Sequence, residues 1–95
     1  MERRETQYLR KDLSISENII KLRKKADMKQ KDVAIQLQLM GIKMSRSHFS
    51  GIEVGRLNIS VGALVALKTI FKCEYADFFE GLDEKLLELR EKLEE

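Results

Sequence analysis

The chain has 95 residues, enough for one modest core and too few for a second domain with its own pocket. Hydrophobic residues make up 43% and charged residues 36%, with no proline and five glycines, a composition that predicts an all-α fold. The formal charge of +2 is unevenly spread: residues 28–72 hold seven Lys/Arg against Asp32 and Glu53, whereas residues 73–95 hold nine carboxylates against Lys85, Arg90 and Lys92.

A basic middle suits a polyanionic partner, and the acidic tail points elsewhere. The single Cys73 cannot form an intramolecular disulfide, which fits a reducing compartment. No signal-like segment opens the chain, and the longest apolar stretch, 59–71, is interrupted by Ser60 and Lys68. That stretch is too short to span a bilayer, so a soluble, cytoplasmic protein is expected.

Residues 1–12 (MERRETQYLRKD) are mostly polar, lack a clear period and read as an arm, irregular or in part helical, made basic by Arg3, Arg4, Arg10 and Lys11. The first firm helix starts at Ser14 or Ser16: Ser14 with Glu17 fits a capping box, and Ser16 places Ile15 and Ile20 as a hydrophobic staple. Ile15, Ile19, Leu22 and Ala26 give its apolar stripe, and it ends near Asp27. Val33, Ala34 and Leu37 mark a second helix from Lys29 to about Met40, stopped by Gly41.

Ser45 has the chemistry of an N-cap for a third helix, residues 46–54, with Met44 and Phe49 as staple and Gly55 as stop. Ser60 caps a fourth, with Ile59 and Leu64 as staple and Val61, Leu64, Leu67, Lys68 and Phe71 on the helical period. Residues 75–79 form a short fifth helix, and Gly81 separates it from a last one. The chain thus divides into the arm 1–12, a five-helix domain 13–81 and an amphipathic helix 82–95.

In that last helix Leu82, Leu86, Leu89 and Leu93 are spaced four, three and four, an a/d seam, and Glu88 with Lys92 is a favourable pair. Two heptads are too short for a self-sufficient coiled coil. The seam therefore either pairs with a second copy, the favoured homodimer, or packs back on the first or fifth helix. It also offers a surface for a different protein partner.

The segments NIIKLRKKADMKQKDVA, SRSHFSGIEVGRLNIS and LVALKTIFKCEYADFF resemble the lambda-repressor-like, Cro/Xre-type helix-turn-helix family over about Ser14 to Gly81. The most specific marks are Arg23, Gln30, Ala34, Ile52, Glu53 and Gly55 in their relative order, with Phe78 and Phe79 closing the domain. The resemblance implies a second helix across the backbone of double-stranded DNA and a third in the major groove, where Arg46 and Ser47 reach base edges. Ser50 and Gly51 fall on the next turn of that face. Gly51, where relatives carry a base-reading side chain, either removes one contact or lets the backbone approach the groove or a neighbouring helix.

Gln30 is implied as a phosphate ligand at the start of the second helix, with Lys29, Lys31, Lys43, Ser45, Arg56 and Asn58 as further phosphate contacts. His48 is a candidate DNA contact, weighed against an ordinary solvated helix residue. Arg23 and Glu53 are implied as a structural ion pair tying the first helix to the third. One departure from the family pattern is a connection between the second and third helices longer by about five residues, from which Leu39, Ile42 and Met44 are expected to tuck under the third helix.

The expected role is a sequence-specific transcriptional regulator, a repressor of prokaryotic or phage type. An antitoxin-like or anti-repressor interaction module using the leucine-striped tail is the alternative. With one His, one Cys and no GxxxxGK loop, no catalysis is expected, and no metal or cofactor is implied.

Overall fold

In the computed structural model, residues 13–94 are described, with side chains to Lys92; the basic arm and the side chain of Leu93 lie outside the described residues. Six α-helices and no strands occur among them: α1 (Ser16–Lys25), α2 (Gln30–Leu39), α3 (Arg46–Glu53), α4 (Val61–Phe71), α5 (Tyr75–Phe78) and α6 (Leu82–Glu94). The protein is all-α. No helix among the described residues is long and apolar enough to cross a membrane.

Two N-caps form as the side-chain chemistry dictates: Ser45 Oγ accepts from the His48 amide at 2.9 Å, and Ser60 Oγ from the Ala63 amide at 3.1 Å. Gly41 and Gly55 end α2 and α3 in the left-handed region, at φ +86° and +82°. Where the sequence offers no glycine, Asp27 and Lys72 take that conformation and end α1 and α4.

The start of α1 departs from both expected caps. Ile15 occupies the cap position without a side-chain bond, and Ser14 Oγ accepts from the Ser16 amide. Ser16 lies inside the helix and donates its hydroxyl to the Ile52 carbonyl at 2.8 Å. Carbonyls in the last turn of a helix lack intrahelical donors. Ser16 therefore satisfies the end of α3 rather than the beginning of α1.

α1 packs on α3 and α5, and α2 on α3 and α4. The core between them is built from Ile19, Val33, Leu37, Met44, Phe49, Ile52, Ala63, Ala66, Leu67, Phe71 and Phe78, with Cys73 half-buried at its edge. Burial, reinforced by the Asp77 carboxylate, pushes the Cys73 thiol above its ordinary range against the opposing pull of Lys68. The thiol is thereby kept in its less nucleophilic form.

Three apolar positions are placed differently from the expected pattern. Val61 is 78% exposed, because the inward face of α4 is formed by Ala63, Ala66, Leu67 and Phe71. Phe79 is exposed, so Phe78 alone of that pair enters the core. Leu39 is 75% exposed and does not tuck under α3; Met44 is buried in the core, and Ile42 packs partly buried toward Gly62 of α4. The lengthened connection is closed by the Gln38 side-chain amide, which donates to the Met44 carbonyl.

The leucine seam is not a free stripe. Leu89 is 4% exposed within the single chain and Leu82 is half-buried, while Leu87, off the expected seam, is more exposed than Leu86.

Candidate nucleic-acid interface

α3 has eight residues and two faces. Phe49 and Ile52 anchor it in the core, and Arg46, Ser47 and Ser50 fall on the outward side. Those three residues, with Gln30 at the first position of α2 and Arg56 in the loop after α3, line one cleft. It contains two guanidinium groups and no carboxylate. The first residues of α2 and α3 both border it, and helix N-termini favour negative charge within their first turn. Planar, forked donors beside short hydroxyls suit an anionic ligand with paired acceptors.

Behind the cleft, bonded to Gln30, lies a buried charge. The carboxylate of Glu53, only 3% exposed, receives Arg23 Nε at 2.6 Å and Arg23 Nη2 at 3.1 Å, while Arg23 Nη1 donates to the Met28 carbonyl at 2.9 Å. The expected tie between α1 and α3 is therefore a bidentate pair. Gln30 Nε2 also donates to Glu53 Oε1, at 2.8 Å. One amide proton of Gln30 is thus committed inward, leaving the other available to a ligand. The Gln30–Glu53 bond had no signature in the sequence, since residues 23 apart carry no common period.

The structure gathers Gln30, Arg46, Ser47, Ser50 and Arg56 but not every residue expected at the interface. Lys29 borders a separate hollow with Lys24, Asp27 and Asp32, where the Asp32 carboxylate accepts from the Lys29 amide. Asn58 faces the start of α1, in a hollow with Ser14 and Ile15. Lys31, Lys43, Ser45 and His48 are exposed and do not line the cleft.

Gly51 is corrected: it is buried rather than exposed, covered by the side chains of Arg56 and Leu57. Its carbonyl accepts from the amides of both residues, at 2.9 and 3.1 Å. The chain leaving α3 folds back on this position because nothing projects from it.

A larger cleft lies between the start of α1, the end of α3 and the start of α6. Its charges are mixed, Glu17 and Glu80 with Lys21 and Lys85, so it has no preference for a polyanion.

Comparison with protein-family models, with curated proteins and with solved structures finds no match for this chain.

Proposed function

We propose that the protein is a sequence-specific, non-enzymatic DNA-binding regulator of the lambda-repressor-like, Cro/Xre type, lodging α3 in the major groove. The observation that carries this reading is the carboxylate-free cleft in which Arg46 and Arg56 flank Ser47 and Ser50 on the outward face of α3. Arg46, at the first turn of a helix anchored by Phe49, presents its fork away from the core. Gln30, at the cleft, and the exposed Lys29, Lys31 and Lys43 supply contacts to the sugar-phosphate chain that position the helix without reading sequence.

One helix of this length reads about half a site, so two copies on a pseudo-palindrome would double the contacts. Leu86 and Leu87 of α6 are exposed apolar groups available to such pairing.

The test is selection from randomised duplexes at roughly physiological salt, followed by binding of Arg46→Ala to the enriched sequence. Wild type should enrich a motif, and a two-fold repeat within it would report the dimer. Arg46→Ala should lose about 1–3 kcal/mol of discrimination at one base pair while melting at the parental temperature, since Arg46 is exposed and Ser45 still caps the helix. Equal selectivity of the variant and the parent would remove Arg46 from the readout. A folded wild type that enriches nothing would overturn the DNA reading.

A further inference from the structure

We infer that Arg56, although it lies outside α3, reads a base edge, and that the missing side chain at Gly51 is what lets it do so. This rests on the DNA-binding reading above. Position 51 lies one helical turn beyond Ser47, at the border of the outward face of α3. A Cβ built there would lie 2.9 Å from Arg56 Nη2 and 2.7 Å from Leu57 Cδ1, closer than such atoms approach. The guanidinium therefore occupies the space that a residue-51 side chain would take, and it lines the cleft together with Arg46, Ser47 and Ser50.

Two backbone bonds fix the loop from which it springs. The amides of Arg56 and Leu57 both donate to the Gly51 carbonyl, so the backbone at 56 is fastened to the end of α3. Gly51 is not in the left-handed region, so the backbone at 51 would accept a side chain. The glycine serves clearance, not backbone geometry. A planar fork that lines the same cleft as Ser47 has the donors to bond both acceptors of a guanine edge in the major groove, a geometry that a lysine ammonium at this position would not offer. The protein then reads with two arginines, one from each end of α3.

The experiment is randomised-duplex selection with wild type, Arg56→Lys, Arg56→Ala and Gly51→Ala, with melting curves for each. Arg56→Lys keeps the charge and loses the fork. Gly51→Ala puts a better helix former at a helical position while displacing the guanidinium and the end of the exposed Leu57 side chain. Wild type should enrich a guanine at a position other than the one governed by Arg46. Both Arg56 variants should lose roughly 5- to 150-fold discrimination there. Gly51→Ala should weaken or move the same preference without lowering the melting temperature. If Arg56→Ala weakens all duplexes equally, Arg56 is a phosphate ligand and the inference is wrong. It is equally wrong if Gly51→Ala keeps the guanine preference intact. Wild type enriching no motif would remove the DNA reading itself, before any variant is compared.

Discussion

Arg23→Met should destabilise the fold by about 3–5 kcal/mol, a loss readable as a shift in the urea unfolding midpoint. The cost is not chiefly the lost attraction. Glu53 is 3% exposed and Arg23 14%, so the substitution strands a carboxylate away from water with Gln30 Nε2 as its remaining side-chain donor. Arg23→Met also removes the donor to the Met28 carbonyl that shapes the turn after α1. The double variant Arg23→Met/Glu53→Leu should recover most of the loss, because replacing both charges removes the stranded ion. High salt should change the parental stability little, since a buried pair is weakly screened. Loss of less than about 1 kcal/mol in the single variant, or a double variant no more stable than it, would mean that the pair is hydrated.

Phe49→Ala should cost a similar 3–5 kcal/mol. The ring is fully buried, and with Ile52 it is what fixes the short α3 to the other helices. A domain of this size has about 5–15 kcal/mol of stability in all, so the variant loses a large fraction of it and unfolds at a much lower temperature than the parent. DNA binding should fall with it, and cooling toward the temperature of maximum stability should restore both together. If unfolding shifts by less than about 1.5 kcal/mol, neighbours such as Met44 have collapsed into the vacated space. If binding is lost while the fold is intact, Phe49 has a role at the groove that its burial does not suggest.

The sequence carried those parts of the fold that rest on local chemistry. Ser45 and Ser60 as caps, and Gly41 and Gly55 as stops, follow from hydroxyls and backbone freedom acting within four residues. What was illegible depends on partners distant in the chain. Ser16 looks like a cap until the Ile52 carbonyl, 36 residues on, claims its hydroxyl. Val61 obeys a helical period but faces outward, because period alone does not say which side of a helix meets its neighbours, and Leu39, expected under the third helix from the length of the connection, is exposed as well.

The candidate site divides in the same way. Arg46 and Ser47 were assigned to the outward face of α3 by the family resemblance, and Ser50 followed as the next turn of that face. The inward bond of Gln30 to Glu53 and the burial of Gly51 beneath Arg56 needed the packing of α1, α2 and the loop after α3. The leucine spacing identified a helix with an apolar stripe and left two occupants for it, a second copy or the chain's own helices; Leu89 is covered within its own chain.

The polar ties of α1 bear on the order in which the molecule comes apart. Ser16 reaches Ile52, Arg23 reaches Glu53, and Asn18 Nδ2 bonds the carbonyls of Phe78 and Glu80, spans of 30 to 62 residues. Such closures carry a larger loop entropy than the contacts that join α2, α3 and α4, which are nearer neighbours in the chain. α1 contributes one fully buried side chain, Ile19, against several from that inner set. It should therefore behave as a separate cooperative unit, undocking in openings too small to unfold the rest. In native-state hydrogen exchange, the α1 amides should exchange through a smaller free energy than those of α4. Equal values would show that the five-helix domain opens only as a whole.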